Sequence, residues 1–118
     1  MGRLQGVASV LLAGLLVSST AGVHAQEPLP GSVTGLVRDE SGAGVPGVTV
    51  DASPPGGGPV RPVVTDAAGR YRIDALPPGT WTVSFHLLNF ASVITSGVNV
   101  RSGTATTVDT TLRLRLTS

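Results

Sequence analysis

The sequence predicts an all-β fold, a sandwich of about seven short antiparallel strands. Three observations carry that reading. From Ser32 onward, apolar and polar residues alternate with a period of two, and no helical period of 3.6 replaces it. Glycine and proline interrupt the alternation at short intervals, as turns between strands do. The segment Thr65 to Val83 sets turn, strand, turn and strand in unbroken succession. Within it, Gly69 suits the positive-φ position that closes a short hairpin loop. Pro78-Gly79 matches the central pair of a type II turn, where proline presets φ near about −65° and glycine accepts the positive φ that follows.

The chain opens with Arg3, the uncharged apolar run Val7 to Val17, and small residues at Val23 and Ala25. This is the pattern of a secretory signal peptide, residues 1–25, helical and cleaved after Ala25. The run falls short of the roughly 20 residues that cross a bilayer, so no transmembrane segment is expected after cleavage. Residues 26–31 carry two prolines and little to bury, and read as a flexible tail ahead of a single domain, residues 32–118.

In the first strand Val33, Gly35 and Val37 oppose Thr34, Leu36 and Arg38. Asp39 to Gly44 turns the chain. Val48, Val50 and Ala52 then alternate with Thr49, Asp51 and Ser53, and the strand stops where Pro54 to Pro59 remove backbone donors. That proline and glycine loop is expected to be the most mobile internal segment. Val63 and Val64 lead into the Asp66 to Gly69 turn. Tyr71 and Ile73 then face inward, Arg70, Arg72 and Asp74 outward, and Leu76 plugs one end. Trp81, Val83, Phe85 and Leu87 line the core face of a central strand whose other face holds Thr82, Ser84 and His86. Val98 and Val100 mark a short strand. Val108, Thr110, Leu112, Leu114 and Leu116 define a long last one, with Asp109, Thr111, Arg113 and Arg115 outward.

Composition narrows the function classes. Beyond Ala25 the chain has seven arginines, no lysine and seven acidic residues, so attraction to nucleic acid or an anionic membrane is not expected. There is no cysteine, which leaves packing to stabilise the fold and excludes a lipoprotein anchor.

The candidate chemical motifs each meet a structural obstacle. Gly42-Ala43-Gly44-Val45-Pro46-Gly47 has the spacing of a dinucleotide-binding loop, but a strand follows it, not the helix whose N-terminus would hold a pyrophosphate. His86 is the sole histidine after cleavage and lies on a polar strand face, so a zinc site lacks ligands. Asp39-Glu40 sits in a tight turn, where aspartate caps its own backbone; acid and base catalysis needs carboxylates converging across a cleft. No Gly-x-Ser-x-Gly elbow is present. Trp81 offers a face for stacking a sugar, but its parity with Val83 and Phe85 assigns it to the core. No catalytic, cofactor-binding or metal-binding residue is therefore expected.

Taken together, Val33 to Gly42, Val45-Pro46-Gly47-Val48-Thr49-Val50 and Thr65 to Val83 resemble the carboxypeptidase regulatory-like domain. The resemblance implies a transthyretin-like, seven-stranded Greek-key sandwich, similar in overall fold to starch-binding modules. Such domains accompany metallocarboxypeptidases, bacterial surface proteins and outer-membrane receptors. At Leu88-Asn89-Phe90 the family more often has glycine before the aromatic residue; asparagine substitutes because it tolerates the left-handed conformation. Relatives that hydrolyse hydroxyisourate end in Tyr-Arg-Gly-Ser, whereas this sequence reads Arg115-Leu116-Thr117-Ser118, so that activity is not expected. The resulting expectation is a periplasmic or secreted non-catalytic module that binds or assembles with an envelope or outer-membrane protein through its sheet edges. The alternative expectation is a carbohydrate-binding module that uses loops at one end of the sandwich.

Overall fold

The computed structural model describes residues 29–116. The expected signal peptide, its cleavage site and the start of the flexible tail lie outside them. Eight strands follow in order: β1 (Gly31–Asp39), β2 (Thr49–Ser53), β3 (Arg61–Val64), β4 (Arg70–Leu76), β5 (Gly79–His86), β6 (Val93–Val100), β7 (Ala105–Thr107) and β8 (Thr110–Leu112). They form two four-stranded sheets. One has the order β4-β1-β7 with β8 also on β1, and the other runs β3-β2-β5-β6. The expected all-β sandwich is the observed fold.

The core lies between the sheets. Val33 and Val37 of β1, Val50 and Ala52 of β2, Val83 and Phe85 of β5, and Leu112 of β8 are fully buried. The period-two expectation holds through β2 and β5 and through β4 as far as Asp74, because these strands are covered on one face only, whereas β1 is buried at three successive residues, Gly31 to Val33, and alternates less cleanly. The Tyr71 ring meets Phe85 edge-on with centroids 5.7 Å apart, joining the two sheets through aromatic contact.

Besides β6, which runs over eight residues from Val93 where only a short strand at Val98 and Val100 is expected, three features depart from expectation. The long strand expected from Val108 to Leu116 is reduced to β8, with β7 just ahead of it, and both pair with β1 in parallel where antiparallel pairing is expected. The register is continuous across the break, with Ser32 opposite Ala105 and Val37 opposite Thr110. At the interruption Val108 N–H donates to the Thr34 carbonyl, and the Asp109 carboxylate takes the Leu36 N–H at 2.9 Å in place of a backbone acceptor. Counted as one interrupted strand, β7 and β8 restore the expected seven.

The inward face assigned to Leu114 and Leu116 is also corrected, since these residues are 57% and 88% exposed. β1 ends at Asp39 opposite Leu112, so no sheet neighbour remains beyond that point. Instead, Leu114 bridges Phe90, with Ala91 N–H donating to the Arg113 carbonyl and Arg115 N–H to that of Asn89.

The third departure concerns the two turns around β4. Backbone bonds between Asp66 and Arg70 close a tight loop at Gly69, whose φ is +84°, but β3 and β4 pair with different sheets. Gly79 has φ +154°, far from the roughly +80° of a type II turn, and its segment likewise carries the chain between sheets. Both reversals are corners of the sandwich. Asn89 does take the expected left-handed backbone, at φ +74°.

Candidate functional site

The two sheets have four edges, and three are guarded. β4 carries Arg70, Arg72 and Asp74 outward, with Arg72 and Asp74 paired at 2.6 Å. β3 has four residues, among them Arg61 and Pro62, and proline cannot donate to an added strand. β7 and β8 have three residues each, and beyond them Arg113 pairs with Glu40 at 2.8 Å.

β6 differs. Its eight residues, Val93 to Val100, include neither a charge nor a proline. Its C-terminal half is engaged, since Thr106 Oγ1 donates to the Asn99 carbonyl at 2.8 Å. Between the halves, Gly97 takes φ +71° where the β5–β6 register shifts, which bends the edge. The N-terminal half, Val93 to Ser96, pairs with β5 on one side and has no strand on the other among the described residues. Ile94 there is 66% exposed.

His86 is the sequence-flagged residue with the most company. Its Nδ1 lies 3.0 Å from Ser92 Oγ, and its Nε2 lies 3.8 Å from Asp51 Oδ2. The three residue types are those of a serine hydrolase, but the spacing is not. At 3.8 Å the carboxylate is beyond hydrogen-bond reach of the ring, and the histidine side chain is 46% exposed, so water competes for the same positions. Ser92 and His86 border a cleft of about 360 Å³, with Asn89, Phe90 and Arg115 also on its wall. Sequence reasoning missed this cluster. The signal was available in the β5–β6 hairpin, which returns Ser92 beside His86.

Trp81 is 3% exposed and its indole N–H donates to the Pro77 carbonyl at 3.0 Å. A cleft of about 320 Å³ is bordered by five prolines, Arg61 and Trp81 itself. With only 3% of its surface exposed and its donor used, Trp81 is a core residue that borders the cleft without projecting into it as a stacking platform, as its parity implied.

Asp39 and Glu40 do not converge. Asp39 Oδ1 accepts from Ser41 Oγ at 2.6 Å and from the Ser41 and Ala43 N–H groups, while Glu40 reaches Arg113. Gly42 and Gly47 take φ +91° and +78° in the turns before β2, the role expected of them. Asp66 organises the next corner likewise, accepting from the Ala68 and Arg70 N–H groups at 2.9 Å. One buried polar residue escaped notice. Thr65 donates to the Val45 carbonyl and accepts from Val48 N–H, tying the segment just before β2 to the corner.

Hydrogen bonds from Ser41, side chain and then backbone, hold the Asp39 carboxyl below its ordinary 3.8, and the Arg70 N–H chiefly does the same for Asp66. The unfolded chain therefore binds more protons than the folded chain as pH falls through this range. The stability these groups confer is complete above about pH 5 and drains away as pH drops through their folded values. Urea midpoints are expected to fall from about pH 6 to pH 3, and to fall less in a D39N/D66N variant, which keeps acceptors but not charges. An unchanged slope in that variant contradicts the assignment.

With the fold and its edges in place, the class is an all-β sandwich module, and the comparisons name its family. The chain belongs to the carboxypeptidase regulatory-like domain family, whose sequence pattern matches residues 32–113. It is 34% identical over 99 residues to the TonB-dependent transporter Oar of Myxococcus xanthus, covering 83% of this chain and 9% of the transporter. The chain thus spans less than a tenth of that relative. Among solved structures it is similar to GBS52, the minor pilin of Streptococcus agalactiae, with TM-score 0.61 and 14% identity over 78% of this chain and 48% of the pilin. It is also similar to a protein proposed to bind carbohydrate from Bacteroides uniformis, with TM-score 0.57 and 21% identity over 69% and 40% of the two chains. At these identities the structural likeness is one of fold.

Proposed function

We propose that this domain is an exported, non-catalytic module that assembles with another protein of the cell envelope by accepting a partner strand on the β6 edge. The single observation that carries this reading is the uncharged, proline-free stretch Val93 to Ser96, unpaired on its outer side among the described residues, on a molecule whose other edges are guarded. Backbone N–H and C=O groups on such an edge supply affinity, and the exposed Ile94 supplies an apolar contact for alternate side chains of the added strand. The similarity to part of a TonB-dependent transporter supports an envelope location.

Co-purification from envelope extracts tests the proposal. Ile94→Lys places a charge on the edge while changing folding stability by about 0.5 kcal/mol or less. Recovery of the partner is expected to drop about tenfold for Ile94→Lys and to be unchanged for Val64→Lys on the β3 edge. Equal recovery with both variants, or no partner above background for the unaltered protein, removes the proposal.

Carbohydrate binding stands second. The fold shared with the Bacteroides uniformis protein favours it, but the aromatic residue that would stack a sugar is enclosed. Glycan-array binding abolished by Trp81→Phe in a folded protein would reinstate it.

A further inference from the structure

The cleft beside His86 is not needed for strand addition, and its chemistry is distinct from that of the β6 edge. Its polar wall holds the Thr49 and Ser92 hydroxyls, the His86 ring and the Asn89 amide, which can donate or accept, and the Arg115 guanidinium, which only donates. No carboxylate lies on that wall. The Asp51 carboxylate, which is off that wall, lies 3.8 Å from His86 Nε2. Arg113, two residues before Arg115, is neutralised by Glu40 at 2.8 Å, whereas Arg115 has no ion pair among the described residues.

The segments that carry these groups are tied together by backbone bonds. Arg115 N–H donates to the Asn89 carbonyl at 2.8 Å, and Phe90 bridges Leu114, so the segment bearing the guanidinium is fastened across the loop that forms the opposite wall. Asn89 has a left-handed backbone, and Ser92 Oγ shares a hydrogen bond with His86 Nδ1 at 3.0 Å, so whichever of the two donates in that bond has spent that donor. Phe90 and Leu87, both partly buried against the core, supply an apolar wall in the same cleft.

From this arrangement we infer that the cleft binds a small monocarboxylate carried on an apolar body, with Arg115 as the anchor of the carboxylate and Phe90 against the apolar part. A guanidinium matches a carboxylate through two parallel N–H donors, and neighbouring hydroxyl and amide donors satisfy the remaining lone pairs. About 360 Å³ accommodates an aromatic or short aliphatic acid and is small for a drug-sized ligand. A neutral polyol would leave the guanidinium without a charged partner, so an acid is favoured over a sugar.

Titration of the 15N-labelled protein with benzoate, followed by amide chemical shifts, tests the inference. Benzamide serves as the uncharged isostere and Arg115→Gln as the variant; Arg115 is exposed and its only described bond is through the backbone, so the variant keeps the fold. Benzoate is expected to shift residues 86–92 and 115 saturably. Benzamide is expected to bind about tenfold or more weakly, and Arg115→Gln to weaken benzoate by a similar factor. A free-acid peptide ending in phenylalanine, compared with its amidated form, determines whether the carboxylate can also come from a chain terminus; only preference for the free acid agrees with the inference. Equal binding of benzoate and benzamide, insensitivity to Arg115→Gln, or shifts located elsewhere would overturn it. Ile94→Lys is expected to leave benzoate binding intact, which separates this result from the fate of strand addition.

Discussion

Trp81→Ala is expected to destabilise the domain by about 3–5 kcal/mol, a large part of the roughly 5–15 kcal/mol that holds a small domain folded. The indole is the largest side chain of the core, only 3% exposed, on the β5 strand that lies inside its sheet between β2 and β6. Its removal opens a cavity between the sheets, since strands paired on both sides cannot collapse freely into the gap. It also leaves the Pro77 carbonyl, now bonded at 3.0 Å, without its donor. Trp81→Phe keeps much of the apolar volume and loses only the donor and part of the ring, so its cost should be clearly smaller. Urea denaturation followed by circular dichroism measures both variants. A loss below about 1 kcal/mol for alanine would place the indole outside the core.

Gly35→Ala is expected to be nearly as damaging, at about 3 kcal/mol or more, although it adds a single methyl group. The reason is close approach. A Cβ on Gly35 would run into the Val108 carbonyl oxygen and come within 2.7 Å of the Tyr71 ring and hydroxyl. Neither neighbour can easily yield. Val108 is pinned to β1 through its N–H bond to the Thr34 carbonyl at 2.8 Å, and the Tyr71 hydroxyl donates to that same Val108 carbonyl at 2.5 Å. Burial pushes the Tyr71 phenol well above its ordinary value, with the Asp109 charge adding to the effect, so it remains a donor throughout the physiological range. The substitution therefore strains the β1–β7 junction and the one phenol that spans it. Denaturation midpoints and the tyrosine ultraviolet signal report the two effects together. Wild-type stability in Gly35→Ala would mean that β1 and Val108 do not lie as close as described.

These two residues illustrate what was legible beforehand. Trp81 could be placed in the core from its neighbours, because Val83 and Phe85 repeat at the same parity and one covered face imposes that period. Gly35 could be placed on the inward face, but its cause, a carbonyl 73 positions along the chain, involves a contact that no local pattern encodes. The same limit explains the last strand. Alternation from Val108 to Leu116 reports which side chains share a face, not which strand lies alongside, in which direction, or where that neighbour ends. β1 stops at Asp39, so the leucines past Leu112 emerge into solvent.

The candidate site was less legible than the fold. The importance of edges could be anticipated from an open sandwich, whereas singling out β6 required the strand order, because only position in the sheet decides whether Val93 to Ser96 is covered. His86 was identified as a solvated histidine on a polar face, and it is half-exposed as that reading requires. Its company comes from three separate segments: Asp51 from β2, Ser92 from the turn into β6, and Arg115 from the chain that crosses the loop. Such convergence depends on register, which a single sequence does not state.

Site-specific photo-crosslinking tests the β6 edge most directly. A photoreactive residue at position 94, and control residues at positions 64 on β3 and 72 on β4, are introduced one at a time into the protein in cells at its native level. Strand addition predicts one discrete crosslinked envelope partner from position 94 and none from 64 or 72. Equal crosslinking from all three positions, or a partner captured only from β3 or β4, would contradict it.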